Sequence, residues 1–185
     1  MRIHLLPKDL PIFEKYANKS SIILEYGSGG STVYLSNLPN IKKVISIESD
    51  KKWYDKVKNN ANMEKLILSF CDLECENTSL GRPGENCPIS KILYYQLAGT
   101  LFSKQYEIDT IFVDGRYRLN CCLINWFFMN EKTKLLIDDF ERSLYHNVFP
   151  HFKIIEKGKK LAVLQKDLKN PPTAEKVIKY ELEYL

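Results

Sequence analysis

The sequence predicts a doubly wound α/β fold, in which a mostly parallel sheet of about seven strands is covered by helices and ends in an antiparallel hairpin. Two observations predict it. Apolar segments of strand length alternate with longer helical segments along the chain, and this alternation is typical of parallel sheets covered on both faces. The last two strand-like segments are separated only by a short turn around Gly158, and a tight turn requires antiparallel pairing.

The predicted strands are short runs rich in aliphatic and β-branched side chains. In chain order they are residues 21–25, 44–47, 66–70, 110–113, 134–137, 152–155 and 161–164. Helices are predicted over residues 51–60 and 89–102. Between them, residues 71–88 contain two glycines and two prolines, and we expect a long functional loop there.

The composition fits one globular domain, with 185 residues of which 44 % are hydrophobic and 27 % charged. We expect a core over about residues 20–165 and a peripheral tail over 166–185, with a surface helix at 173–185. The formal charge of +4 comes from scattered lysines, so nucleic acid binding is permitted but not indicated. Neither a signal peptide nor a membrane span of ~20 apolar residues is found. We therefore expect a cytoplasmic protein, and the oligomeric state stays open.

The cysteines indicate reduced thiols. Their number is odd and no C-x-x-C pair is repeated, which favours a reducing compartment. A zinc site is disfavoured because a fourth ligand at suitable spacing is missing. The residues concerned are Cys71, Cys75, Cys87, Cys121 and Cys122.

A glycine-rich loop follows the first predicted strand and begins the next helix. Glycines let the backbone turn sharply and approach a ligand, and the amides of a helix N-terminus offer donors. Glu25, at the strand end, can accept from a cationic group. We predict that this loop binds a cofactor through Glu25, Tyr26, Gly27, Ser28, Gly29, Ser31 and Thr32.

Acidic residues also end the next two strands. Glu48 lies about twenty residues beyond the loop, where a carboxylate can accept from both hydroxyls of a ribose, and Ser49 adjoins it. Asp72 is placed to reach an adenine amino group, although a solvated loop acid explains it equally well. The carboxyl ends of parallel strands share one sheet edge, which is where ligands bind in open α/β folds.

S-adenosyl-L-methionine fits this edge better than NAD does. The dinucleotide fingerprint requires a third glycine at the position of Thr32. The amino-acid end of S-adenosylmethionine carries an ammonium group, which suits the carboxylate of Glu25. The C-terminal hairpin also argues against a plain dinucleotide-binding fold.

The chain resembles the class I, Rossmann-like fold of S-adenosylmethionine-dependent methyltransferases over about residues 20–165. More narrowly, it resembles compact glycan methyltransferases of bacteria and large DNA viruses. The resemblance implies an O-methyltransferase acting on a sugar or glycan hydroxyl, for example of a deoxyhexose such as rhamnose. The matching segments are Glu25–Thr32, Ser46-Ile47-Glu48 with Trp53, Gly81-Arg82-Pro83, Val113-Asp114-Gly115-Arg116-Tyr117-Arg118 with Cys121, and Asp139-Phe140-Glu141-Arg142-Ser143-Leu144-Tyr145.

Two aspartates are the predicted catalytic residues. Methyl transfer to an alcohol requires alignment of the reacting atoms and removal of the hydroxyl proton. Asp114 and Asp138 end the fourth and fifth strands, so both should face the cofactor, and either can act as the base. Asp114 is also expected to contact the cofactor. The resembling family often has histidine in place of Asp138, which leaves the choice of base open.

Four residues are predicted to bind the acceptor. Arg116 and Arg118 offer planar donor groups for sugar oxygens or an acidic group, and ion pairing with the nearby aspartates explains them equally well. Arg142 and Tyr145 lie three positions apart on a predicted helix, so they should share a face.

Alternatives to this assignment remain. Asp114, Asp138 and Asp139 could bind Mg²⁺ or Mn²⁺ in a metal-dependent small-molecule O-methyltransferase, although a metal is not favoured. A non-catalytic cofactor-binding protein or an RNA-binding relative is the other class. No basic stripe interleaved with aromatic residues supports RNA binding.

Overall fold

The computed structural model describes residues 1–75 and 81–177. The strands are β1 Ile22–Tyr26, β2 Lys43–Glu48, β3 Leu66–Phe70, β4 Thr110–Val113, β5 Lys134–Ile137, β6 Phe152–Lys157 and β7 Ala162–Lys166. The helices are α1 Leu10–Ala17, α2 Gly30–Asn37, α3 Lys51–Lys58, α4 Ile89–Ser103 and α5 Arg118–Phe128, and a 3₁₀ helix, Ser143–His151, precedes β6.

All seven strands form one sheet in the order β3-β2-β1-β4-β5-β7-β6. Strands β1 to β5 pair in parallel, whereas β7 pairs antiparallel with both β5 and β6. The strand order reverses between β1 and β4, and this reversal opens a crevice at the carboxyl edge of an α/β sheet. The predicted fold class is confirmed.

Apolar side chains cover both faces of the sheet. On β1, Ile23 and Leu24 belong to two different hydrophobic clusters, because successive strand residues point to opposite faces. The Leu24 cluster includes side chains of α4 and α5. The Ile23 cluster includes side chains of α1, α2 and α3. The sheet is therefore fixed between two helical layers, which positions its carboxyl edge for a binding site.

The predicted strand positions are confirmed, exactly for β3, β4 and β5 and within two residues at each end for the others. The sequence did not predict α1, which buries Phe13 and Ala17. The expected tail helix is helical at residues 174–177, and its remainder lies outside the described residues, as does part of the loop 71–88. Within the described chain, we find no helix with the length and apolar character needed to cross a membrane.

Candidate functional site

A cleft of about 370 Å³ lies at the carboxyl ends of β1, β2 and β4. It is bounded by the glycine loop, the start of α3 and the loop after β4. The predicted cofactor residues that line it are Gly27, Ser28, Gly29, Ser31, Glu48, Ser49 and Asp114, and Trp53 lines it as well. The cleft therefore lies at the position where the sequence predicts a bound cofactor.

Gly27 and Gly29 have different structural roles in this loop. Gly27 has a φ of +90°, and a Cβ there would lie 2.6 Å from the backbone of Gly115. Gly29 has an extended φ of −172°, and a Cβ there would meet nothing within 4 Å. Gly27 thus lets the chain after β1 cross the chain after β4, whereas Gly29 leaves open space in the cleft.

Glu25 lies beneath the loop and not in the cleft. Its fully buried carboxylate accepts hydrogen bonds from the hydroxyls of Ser31 (2.5 Å), Thr32 (2.5 Å) and Ser46 (2.6 Å). Burial raises the pKa of Glu25, and these three donors oppose the rise. The carboxylate is fully buried and does not line the cleft, so the expected contact with a cofactor ammonium is corrected, and Glu25 instead shapes the loop from below.

Glu48 faces the cleft and joins the loop to the start of α3. Its carboxylate accepts from the backbone N–H groups of Ser28 (2.6 Å), Ser49 (2.7 Å) and Asp50 (2.7 Å). Burial raises the pKa of Glu48 to about 7. A carboxylate has about four acceptor positions, so these three bonds leave one for a ligand hydroxyl.

Two loop side chains predicted to bind cofactor lie outside the cleft. The buried Tyr26 hydroxyl donates to the backbone oxygen of Gln96 at 3.0 Å, within the core under α4. The buried Thr32 hydroxyl accepts from the N–H of Gly29 at 2.8 Å and donates to Glu25. Both side chains stabilise the loop from below, so their predicted roles as direct ligands are corrected.

Asp72 is also away from the cleft. Its exposed carboxylate pairs with Lys91 at 3.0 Å and accepts from the N–H of Glu74 at 2.8 Å. These contacts lower its pKa, with the backbone donor as the largest cause. Asp72 does not line the cleft, so the alternative of a solvated loop acid describes its position.

The first residues of the chain line the cleft, which sequence analysis missed. Ile3, His4 and Leu5 form part of its wall. The segment lies against the start of α2, because a Cβ at Gly30 would come within 1.9 Å of the backbone oxygen of Arg2. The doubled glycine at positions 29 and 30 was the sequence signal for this close approach.

A buried carboxylate fixes α1 to the C-terminal hairpin. Asp9, at the start of α1, accepts from the backbone N–H groups of Lys159 (2.6 Å) and Lys160 (3.0 Å) in the turn between β6 and β7. The N-terminal wall of the cleft is therefore held by the last strands of the sheet.

Three aspartates surround Arg118 at the ends of β4 and β5. Its guanidinium lies 2.8 Å from Asp114, 3.3 Å from Asp139 and 3.5 Å from Asp138. It also donates to the backbone oxygens of Asp114, Gly115 and Asp138. With 12 % of its side chain exposed, Arg118 holds two strand ends together, so the ion-pair interpretation describes it.

The carboxyls of Asp114 and Asp138 hold protons more tightly than free aspartates do. Burial, followed by the charge of Asp114, raises the pKa of Asp138 to about 7. Burial also raises the pKa of Asp114, while the charge of Arg118 opposes the rise. Asp114 lines the cleft, whereas Asp138 does not. The pair can therefore hold a proton near neutral pH, with Asp114 on the ligand side.

Asp139 is held by cations. It has a φ of +58°, and its carboxylate lies 2.7 Å from Arg142 and 3.2 Å from Lys160, besides its contact with Arg118. Among the described residues, no group of three or more His, Cys, Asp or Glu side chains is arranged to hold a metal ion. The three aspartates instead face three basic side chains.

A second cavity of about 400 Å³ adjoins the cleft, and Arg116 and Arg118 line both. Tyr145 lines the second cavity, whereas Arg142 lines the first cleft. The prediction that these two residues share a face is wrong, because Arg142 precedes the 3₁₀ helix and pairs with Asp139.

Comparisons with known proteins give structural relatives. No protein-family model matches the sequence, and no curated protein matches it. A methyltransferase-like protein from Silicibacter pomeroyi is 26 % identical, with a TM-score of 0.82 over 97 % of this chain and 96 % of that chain. A candidate caffeoyl-CoA O-methyltransferase from Staphylococcus aureus is 14 % identical, with a TM-score of 0.56 over 90 % and 86 %.

A third solved structure, the m1A22 tRNA methyltransferase TrmK of B. subtilis, is 13 % identical, with a TM-score of 0.54 over 90 % of this chain and 68 % of that chain. At such identities the last two likenesses concern the fold alone. The comparisons agree with the predicted enzyme class, and the chain has the fold of the S-adenosylmethionine-dependent methyltransferases.

Proposed function

We propose that this protein transfers a methyl group from S-adenosylmethionine to a hydroxyl of a sugar or glycan. The observation that supports this most directly is the position of Asp114. It lines the glycine-loop cleft two residues before Arg116, which lines both this cleft and the second cavity. Asp114 also lies 2.8 Å from Arg118, which lines both cavities, and this supports a role for Asp114 as proton acceptor for a hydroxyl that enters from the second cavity.

The residues of the cleft suit the cofactor. The open space at Gly29 lies at the N-terminus of α2, where backbone amides favour a carboxylate. Glu48 has an acceptor position left for a ribose hydroxyl. S-adenosylmethionine supplies a methyl group on a positively charged sulfur when it is bound.

The chain's own residues supply proton removal and alignment. Asp114 would take the proton of the acceptor hydroxyl as its oxygen bonds to the methyl carbon. With S-adenosylmethionine bound, the electron pair of the broken carbon–sulfur bond would remain on sulfur, so a methyl ether, a neutral thioether and a proton on Asp114 would result. Arg118 and Asp138 position Asp114 and set its charge.

The metal-dependent alternative has less support from the site. Metal-binding carboxylates need free oxygens directed to one point. Here Asp114, Asp138 and Asp139 all lie within ion-pair distance of Arg118. Proton transfer to a carboxylate therefore fits the cluster better than a bound Mg²⁺ or Mn²⁺ does.

Calorimetry with S-adenosylhomocysteine, followed by labelled methyl transfer onto a panel of sugars and glycans, tests this proposal. We expect binding, label on a hydroxyl oxygen, and full activity after treatment with EDTA. Failure to bind at millimolar S-adenosylhomocysteine would overturn the cofactor assignment. Label on a ring nitrogen of tRNA and on none of the sugars would overturn the acceptor class, and loss of activity with EDTA would favour the metal-dependent enzyme.

A further inference from the structure

We propose that the hydroxyl of Tyr95, on α4, donates a hydrogen bond to the acceptor oxygen that becomes methylated and so orients this oxygen beside Asp114. This inference depends on the proposed function, because it adds a residue to the same reaction. Its basis is the position of Tyr95, which is buried and forms part of the wall of the cofactor cleft.

The hydroxyl of Tyr95 reaches the loop that follows β4. Its oxygen accepts a hydrogen bond from the backbone N–H of Arg116 at 3.2 Å. A Cβ at Gly115 would lie 2.2 Å from the same oxygen, so the glycine keeps a side chain from covering it. Gly115 lines the cleft and Arg116 borders both cavities. The hydroxyl therefore lies where the cleft adjoins the second cavity.

The hydroxyls of Tyr95 and Tyr26 differ in their hydrogen bonds, although the two rings lie in contact with centroids 5.9 Å apart. The Tyr26 hydroxyl donates to the backbone oxygen of Gln96 at 3.0 Å and accepts from the side-chain amide of Asn125 at 2.9 Å. The Tyr95 hydroxyl accepts from Arg116, but among residues 1–75 and 81–177 it has no hydrogen-bond acceptor for its own proton.

A buried O–H donor without an acceptor is unusual. A tyrosine hydroxyl can donate one hydrogen bond and accept others, and buried polar groups in folded proteins are almost always hydrogen-bonded. The core satisfies Tyr26 on both counts and Tyr95 on only one. Since Tyr95 lines the cleft, a bound ligand can provide the acceptor for its proton.

The Tyr95 hydroxyl is a donor and not a base. Burial raises the pKa of Tyr95 well above its usual value, and the charges of Cys121 and Glu48 raise it further, whereas the N–H of Arg116 opposes the rise. The hydroxyl therefore keeps its proton at neutral pH. This role complements that of the carboxylate of Asp114, which accepts a proton.

The two side chains would hold different parts of one hydroxyl group. An alcohol oxygen carries one hydrogen and two lone pairs. The hydrogen would face Asp114, one lone pair would accept from Tyr95, and the other would be left to attack the methyl carbon. Contacts at two points orient the oxygen for this attack. The donor would also stabilise negative charge on the oxygen as its proton leaves, while Tyr95 keeps its own proton.

Tyr95→Phe removes the hydroxyl and keeps the ring that packs against Tyr26. Labelled methyl transfer is measured with rhamnose, glucose and galactose at saturating S-adenosylmethionine. For the sugar that is labelled fastest, kcat/KM should fall by about tenfold or more, whereas the affinity for S-adenosylhomocysteine should stay within about twofold. Tyr94→Phe is the matched control, because Tyr94 is the neighbouring tyrosine of α4 and is 55 % exposed, and it should change neither quantity.

A double-mutant cycle with Asp114→Asn separates direct contact from a structural effect. If Tyr95 and Asp114 hold the same oxygen, Tyr95→Phe should reduce turnover by about tenfold alone but by less than about threefold in the Asp114→Asn background. A role of Tyr95 in the fold alone would give the same factor in both backgrounds. The unfolding temperature of each variant is measured, so that a loss of stability is recognised.

Three outcomes would overturn the inference: an unchanged kcat/KM in Tyr95→Phe, the same factor in both backgrounds, or a loss confined to S-adenosylhomocysteine affinity, which would place the hydroxyl against the cofactor. In each of them the unmodified protein still methylates a sugar. If the unmodified protein fails to bind S-adenosylhomocysteine or labels none of the sugars, the proposed function itself fails.

Discussion

The two ends of the cleft bury their acidic residues in opposite ways. At the glycine-loop end, Glu25 and Glu48 are surrounded by hydroxyls and backbone N–H groups, which are neutral donors. At the other end, Asp114 and Asp138 share the charged Arg118. Neutral donors fix the position of a carboxylate, whereas coupled charges let a proton be shared within the pair. One end is therefore suited to holding a ligand and the other to moving a proton.

The largest effect on turnover is expected for Asp114→Asn, at the end of the cleft that contains Arg118. Asparagine keeps the shape of the side chain but cannot take up the hydroxyl proton, so turnover should fall by about 100-fold or more. Asp72→Asn is the matched control, because Asp72 is an exposed aspartate outside both cavities. A turnover rate in Asp114→Asn close to that of the unmodified protein would remove Asp114 from the mechanism.

At the glycine-loop end, Gly27→Ala should lower the stability of the protein, whereas Gly29→Ala should weaken its binding of S-adenosylhomocysteine. A methyl group at residue 27 would clash with Gly115 and needs a left-handed backbone, so we expect a loss of roughly 2–4 kcal/mol in the free energy of unfolding. A methyl group at residue 29 meets open space, so Gly29→Ala should keep its stability and weaken S-adenosylhomocysteine binding. Urea unfolding measures the stability and calorimetry the binding. Equal stability losses in the two variants would contradict the different roles of Gly27 and Gly29.

Replacing Glu48, at the glycine-loop end, should weaken cofactor binding without stopping methyl transfer. Glu48→Ala takes away the acceptor for three backbone N–H groups and for the ribose, so S-adenosylhomocysteine should bind about 1–3 kcal/mol more weakly. Turnover at saturating cofactor should change much less than in Asp114→Asn. If calorimetry gave the same affinity for both proteins, Glu48 would be excluded as a ligand.

The smallest effect concerns the dependence of stability on pH. Because the pKa of Asp138 is raised to about 7 in the folded protein, the folded state binds more protons than the unfolded state between about pH 4 and pH 7. This contribution to stability is present at low pH and is lost as the pH rises through about 7. Asp138→Asn lacks it, so the free energy of unfolding of the variant should fall by about 1–2 kcal/mol less than that of the unmodified protein between about pH 6 and pH 8.

Urea titrations at the two pH values measure this difference. Parallel changes in both proteins would mean that Asp138 titrates like an ordinary aspartate. Asp138 would then not share a proton with Asp114, and this end of the cleft would not differ electrostatically from the glycine-loop end.

The sequence was most informative where one physical signal decides the structure. The bounds of β3, β4 and β5 were exact, and the apolar runs of β4 and β5 end directly before an aspartate. The glycine loop was located correctly because Gly27 and the strand before it are local features. Both signals come from a few adjacent residues.

The direction of individual side chains could not be predicted in the same way. Tyr26 lies in the loop motif, yet its side chain points into the core, because successive strand residues alternate between faces. Asp72 lies just past the end of β3, but its carboxylate pairs with Lys91 and does not line the cleft. The wall formed by Ile3, His4 and Leu5 depends on contacts with distant parts of the chain, for which the sequence has no repeated pattern.

The contact of Asp9 with the turn at Lys159 and Lys160 has a consequence for biosynthesis. It joins residues that are 150 and 151 positions apart, so it cannot form until residue 160 has left the ribosome. Before then the apolar side chains of α1 can pack on the sheet, but α1 lacks the contact that ties its first turn to the hairpin. A chain truncated before the last hairpin is therefore expected to hold α1 and the adjoining N-terminal wall of the cleft less firmly.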